Sequence, residues 1–193
     1  MDLLDKFNEL HSKGYSMQNI VENIFLNYNA YTNNDDIYFL KKKISSYFKV
    51  ELNNVKLIGS SHTGFKEFRP REQTKDYDFA IIDPFLFREF LLKIKTNQMN
   101  MHSMELYVKN LAEGKLHILY SNKEIKTNIK MILEDIKLQI EEEEKIKIDK
   151  DISVCFYISE KAFINNLTGY FNRVLAASIR NENSEIKALE KLH

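Results

Sequence analysis

A single cysteine, Cys155, is all the thiol chemistry this chain has. That rules out an intramolecular disulfide framework and a cysteine-ligated zinc site. Long apolar runs are missing too: no stretch of about 18 consecutive apolar residues occurs, so no membrane span is expected. The opening residues, Met1-Asp2-Leu3-Leu4-Asp5-Lys6, lack the basic-then-apolar pattern of a secretory signal, and a cytoplasmic protein is expected. Neither sign of charge is in excess, with 28 basic and 28 acidic residues. Bulk electrostatics therefore makes no case for a general nucleic-acid binder, although it leaves room for a local basic groove. Glycine is scarce, at five positions, and two of the five fall within six residues of each other, at Gly59 and Gly64.

What is present is ample for a packed core. Of 193 residues, 44% are hydrophobic and 12% aromatic, and a chain of this length buries roughly 70% of the surface it would expose unfolded. One domain is expected over 1–193: a helical lead-in over 1–50, a core over 55–160, and a C-terminal helix and tail over 160–193. The fold class expected is α/β of the α+β kind, a small mixed sheet flanked by helices, with helical segments at both ends.

Periodicity places the elements. Leu3, Leu4, Phe7 and Leu10 recur at helical spacing before Gly14. Ser16 can cap a second helix carrying Ile20, Val21, Ile24 and Phe25, and Asn34 or Asp35 can cap a third with Ile37, Leu40, Ile44 and Phe48 along its stripe. A strand is expected over 55–58, a polar and basic loop through Pro70, and a second strand over 77–82. Pro84 suits the first turn of the next helix. Residues 101–113 read as helical, with Gly114 as the stop, and 116–120 as either a strand or a packed connector. A long amphipathic helix is expected over 123–144, its acidic end, Glu141 to Glu144, being a solvated terminus. A β-branched and aromatic run marks a strand over 152–158, in which Cys155 is a small buried residue. A last helix is expected from Glu160 to Ala177, followed by a dozen frayed polar residues.

The chemistry concentrates in 55–82. A strand ends in Gly59-Ser60, a basic loop follows, and the next strand carries Asp76-Tyr77-Asp78. A glycine lets backbone approach a phosphate closely. A serine adds a hydroxyl, and the amides of such a turn make a concave anion site. Residues i and i+2 of a strand share a face, so Asp76 and Asp78 point the same way, about 7 Å apart at Cα. Two like charges on one face are costly without a cation between them. Mg²⁺ or Mn²⁺, which takes carboxylates, water and nucleotide phosphates, is the expected partner. Tyr77 is expected to face the core on the other side.

The segment resembles the signature of the DNA polymerase beta nucleotidyltransferase superfamily: an apolar strand, Gly59-Ser60, a spacer, then Asp76-x-Asp78. The start Gly-Ser-x-x-Thr-Gly-Phe and the run Asp-Phe-Ala-Ile-Ile-Asp-Pro-Phe-Leu-Phe are similar to small bacterial members from antiphage-defence and toxin–antitoxin contexts. The resemblance implies a nucleotidyltransferase-like sheet and transfer of a nucleoside monophosphate from a nucleoside triphosphate to a hydroxyl. The acceptor would be a nucleotide, an RNA or DNA end, or a protein. It implies that Gly59 and Ser60 hold the triphosphate and that Asp76 and Asp78 bind the metals, with Ser61, His62 and Gly64 lining the same turn.

Two departures qualify the match. The spacer between Ser60 and Asp76 is longer than in minimal family members and adds Lys66, Arg69, Arg71 and Lys75, which are expected either to contact phosphates or to form a solvated basic loop. The family also carries a third carboxylate on a later strand, whereas 152–158 contains no acid. Asp151, just before that strand, is the first candidate for this catalytic role, with Asp149 and Glu160 behind it. If none serves, the chain is a degenerate nucleotide- or nucleic-acid-binding module that acts through a protein partner. A purely structural reading, with 123–144 as a partner surface, stands as a third possibility.

Overall fold

The computed structural model describes residues 3–30, 35–71 and 73–190, with side chains as far as Ala177. Three helices come first: α1 (Leu3–Ser12), α2 (Met17–Glu22), which runs on as a π-helical turn over Asn23–Asn27, and α3 (Asp35–Phe48). The Ser16 hydroxyl caps α2 by accepting from the Asn19 amide at 3.2 Å, satisfying one of the free N–H groups of the first turn. Asp35 opens α3, while the other expected cap, Asn34, lies outside the described residues.

The chain then enters β1 (Val55–Ile58), a five-residue helical turn α4 (Gly59–Thr63), the short strands β2 (Phe65–Lys66) and β3 (Arg69–Pro70), and β4 (Asp76–Ile82). After β4 come α5 (Pro84–Lys93), α6 (Met101–Ala112), β5 (Lys115–His117), α7 (Lys123–Glu144), β6 (Asp151–Tyr157) and α8 (Glu160–Glu190). Four strands form one open mixed sheet in the order β1-β4-β6-β5, with β4 parallel to β6 and both edge strands antiparallel to their neighbours.

Both faces of this sheet are covered. Tyr77, Phe79 and Ile81 of β4, with Val154 and Phe156 of β6, pack against the apolar stripes of α3, α5 and α7. Their alternates, Ala80, Ile82, Cys155 and Tyr157, pack against α1, α2 and α8. Alternation along the strand thus feeds two separate cores. Each large apolar side chain buried there contributes about 1.5–3 kcal/mol.

Three expectations need correction. The segment between Ser60 and Pro70 is not an open loop. It folds as α4 and then a β2–β3 hairpin, with Glu67 and Phe68 at its tip, both at positive φ (54° and 58°). Such a two-residue turn needs left-handed backbone at both positions and usually uses Asn or Gly. Here the Phe68 ring packs 4.7 Å from Phe7, and that burial offsets the strain. The expected strand or connector over 116–120 is both: β5 to His117, then a 3₁₀ turn over Ile118–Tyr120. The last helix continues past Ala177 to Glu190, so most of the dozen residues expected to fray are helical; 191–193 lie outside the described residues. The acidic end of α7 is a solvated terminus as expected, with Glu143 reaching Lys43 at 2.6 Å. No helix among the described residues is long and apolar enough to cross a membrane.

Candidate functional site

On the α8 side of the sheet, the residues at the N-terminal end of β4 are the less buried ones, Asp76 exposed and Asp78 half-buried. There Asp76 and Asp78 border a cavity of about 240 Å³, lined also by Gly59, Ser60, Lys66 and the aromatic side chains of Phe65, Tyr170 and Phe171. Larger hollows of 410 and 600 Å³ lie elsewhere, but neither brings two carboxylates together.

Asp78 is the best-positioned side chain of the group. Its Oδ1 accepts a hydrogen bond from the Ser153 hydroxyl, its directly opposite partner on β6. Its Oδ2 lies against Gly59, where an added Cβ would stand only 2.9 Å away. Gly59 itself is at φ +68°, backbone that other residues adopt only with strain. Both properties of glycine are therefore used at this one position. Burial raises the Asp78 carboxyl above its ordinary value, the Ser153 hydrogen bond opposes that rise, and the neighbouring Asp76 charge adds to it; Lys115 and Lys66 oppose it more weakly.

Asp76 is exposed on the same face, and its backbone carbonyl accepts from the Ser61 hydroxyl. Ser61 thus ties the turn to the start of β4. It is buried, so it positions Asp76 and does not line the cavity as expected. His62 departs further. Its ring is buried, stacked 4.7 Å from Phe25, with Nε2 2.9 Å from the Ile24 carbonyl. A carbonyl can only accept, so Nε2 carries the proton. Burial holds this histidine down at about 4, leaving it neutral near pH 7 and turned away from the carboxylates. The physical reason for both departures is that 59–63 is one turn of helix, so successive side chains rotate around its axis.

Gly64, at φ +76°, ends α4 by donating its amide to the Ser60 carbonyl at 2.8 Å, and its own carbonyl accepts from Arg71 at 2.8 Å. It is a buried cap, outside the cavity lining. Of the basic residues in the spacer, Lys66 lines the cavity, whereas Arg69, Arg71 and Lys75 are exposed and do not. Asp151 begins β6 directly opposite Asp76, exposed and outside the cavity lining. The position facing Asp78 on that strand is Ser153.

Comparison with protein-family models, with curated proteins and with solved structures finds no match to this chain.

The sequence reading missed Ser153, Thr63 and the aromatic wall. Thr63 lines the cavity, its hydroxyl 3.1 Å from the Gly59 carbonyl and 2.8 Å from that of Phe65. The wall of Phe65, Tyr170 and Phe171 assembles from the hairpin and α8, about a hundred residues apart in sequence. The donor set suits a hard divalent cation: two carboxylates on one face, one of them against a glycine. Among the described residues, no group of three or more His, Cys, Asp or Glu side chains is spaced to hold a metal alone. Mg²⁺ is commonly held by one or two carboxylates together with substrate phosphates, so the pair fits a cation that arrives with a phosphorylated substrate.

Proposed function

We propose that this protein is a metal-dependent nucleotidyltransferase that moves a nucleoside monophosphate from a nucleoside triphosphate to a hydroxyl acceptor. The observation that carries the reading is the Gly59–Asp78 contact, a phosphate-type turn whose missing Cβ makes room for a carboxylate oxygen. Strand alternation adds Asp76 on the same face. The resemblance of the sequence over 55–82 to the polymerase-beta nucleotidyltransferase signature agrees with it and covers that segment alone.

In this reading Asp76 and Asp78 hold Mg²⁺ or Mn²⁺. Gly59 lets the protein backbone approach a phosphate, Ser60 offers its hydroxyl to a phosphate oxygen, and Lys66 sets a positive charge at the cavity wall. A divalent cation bound there supplies charge against the phosphate oxygens and the leaving pyrophosphate. Ser153 holds the Asp78 carboxylate in one orientation through its hydrogen bond. Asp151, at the exposed start of β6, is the carboxylate that would take the acceptor proton as general base. The acceptor is a nucleotide, a nucleic-acid end or a protein hydroxyl.

One observation favours a second reading. Ser153 stands on the strand beside Asp78 where a third carboxylate would serve. If Asp151 does not act, the site binds nucleotide without turning it over and works through a protein partner.

The test incubates the protein with each labelled nucleoside triphosphate and Mg²⁺ or Mn²⁺, with and without cellular RNA and protein. Label transfer abolished by Asp78→Asn supports catalysis, and the labelled species identifies the acceptor. A nucleotide-dependent rise in melting temperature, lost in the mutant and with no transfer, selects the binding module. Transfer at full rate in Asp78→Asn sinks the assignment of the carboxylates.

A further inference from the structure

A second polar hollow lies beside β1 and shares no lining residue with the carboxylate cavity except Phe25. It measures about 410 Å³ and is formed along the open edge of the sheet by α3, the residues after α2, and β1. Lys41 of α3 and Lys56 of β1 both reach into it, with the rings of Tyr28 and Tyr38, the amide of Asn53 and the buried His62 around them.

The three consecutive lysines of α3 have different surroundings. Lys43 is paired with Glu143 at 2.6 Å, and Lys42 lies 5.9 Å from the centre of the Tyr38 ring on the surface. Lys41 is partly buried, and neither it nor Lys56 is within ion-pair distance of a carboxylate among the described residues. The two ammonium groups also repel one another: burial lowers Lys41 below the ordinary lysine value, and the charge of Lys56 lowers it further. Both charges bear in the same sense on His62. Two half-desolvated cations without a counter-ion are destabilising. In a concave site they form an anion receptor whose repulsion is relieved when an anion arrives.

We propose that Lys41 and Lys56 form a second ligand site, which binds the phosphate group of a small phosphorylated molecule independently of the Asp76–Asp78 site. Two point-charge donors suit a dianionic phosphate. The volume falls within the range of small-molecule sites, and Tyr28 and Tyr38 offer aromatic surface for a ring attached to that phosphate.

The test is titration calorimetry of inorganic pyrophosphate in EDTA, which removes divalent cations and so silences the carboxylate site. Saturable one-to-one binding is expected in the wild type and, undiminished, in Asp78→Asn. Lys41→Gln and Lys56→Gln should each weaken it by about tenfold or more, while Lys41→Arg keeps it. Without ligand, both glutamine variants should melt no lower than the wild type, since each removes a repelling charge. That separates loss of a ligand group from loss of fold. Parallel titrations with inorganic phosphate and adenosine monophosphate then identify the source. Tighter binding of the nucleotide assigns it a ring on the tyrosines and equal binding assigns it free phosphate; both results uphold a phosphate site. Absence of saturable binding in the wild type overturns the proposal. So does binding that survives both glutamine variants or that disappears in Asp78→Asn.

Discussion

The two faces of β4 are built from alternate residues of one seven-residue strand, yet they differ in almost every respect. Tyr77, Phe79 and Ile81 are all but fully buried in an apolar layer against α3, α5 and α7. Asp76, Asp78, Ala80 and Ile82 face α1, α2 and α8, where only the last two reach the core and the first two open onto a cavity. The first face is apolar but for the Tyr77 hydroxyl, which donates to Asp36 at 3.4 Å. The second gives up apolar packing at one end, where it keeps a partly desolvated carboxylate whose ionisation burial opposes. Stability and chemistry are thus separated across about the thickness of one strand, and substitutions on the two sides should have opposite signatures.

The largest expected effect lies on the apolar face. Phe79→Ala should cost about 3–5 kcal/mol by leaving a large void in a layer that cannot collapse around it. Urea unfolding checks this, and a loss below about 1 kcal/mol would mean that the layer is far looser than its burial implies. Next comes a pH effect behind the turn. His62 has a folded value of about 4, below the ordinary 6.5, because burial disfavours its charged form, and Lys41 and Lys56 face it with charges of the same sign. The unfolded chain therefore binds the extra proton first. Stability is fully present above about 6.5 and falls as the pH drops toward 4, with a slope approaching about 1.4 kcal/mol per pH unit for this ring. His117, also held at about 4 by burial, adds the same sign. Melting curves from pH 7 to 4 should show the decline, and His62→Gln should flatten part of it.

How far the sequence revealed all this depends on how local each signal was. The α7 stripe, the alternation in β4 and the strand-to-glycine step at Ile58–Gly59 were readable because each pattern lies within a few adjacent residues. Ser61 and His62 were misplaced because five residues are too few to reveal a helical period, and a helical turn rotates their side chains inward. The β2–β3 hairpin has none of the usual turn residues at Glu67 and Phe68, so it read as loop. The role of Ser153 depends on register, which no single strand discloses: a shift by one residue would have placed Ile152 or Val154 beside Asp78. The lysine pair is separated by fifteen positions and by a change from helix to strand, and only the packing of α3 beside β1 brings the two together.

Smaller effects are expected on the polar face, and they test the comparison most closely. Gly59→Ala meets both strain and contact: φ is +68°, and the new Cβ would press on Asp78 Oδ2 at 2.9 Å. The backbone strain is about 1–2 kcal/mol, but displacement of the carboxylate should remove Mg²⁺-dependent nucleotide binding altogether. A thermal-shift titration with nucleotide and metal reads both at once.

Asp78→Asn should have the smallest effect on stability, and its sign is the informative part. Because the folded carboxyl sits above its ordinary value, its favourable contribution belongs to the protonated form. That contribution is present below about pH 3.8 and is lost as the pH rises through the raised value. At pH 7 the wild type therefore carries an unfavourable charge that asparagine lacks, while asparagine can still accept the Ser153 hydrogen bond. The variant should melt higher than the wild type at pH 7. The gain should vanish near pH 3.5, where both side chains are neutral. Millimolar Mg²⁺ with nucleotide should raise the wild type alone and close the gap from the other side. A variant that melts lower than the wild type at pH 7 would show that Asp78 stabilises the fold, and the division of labour between the two faces of β4 would no longer hold.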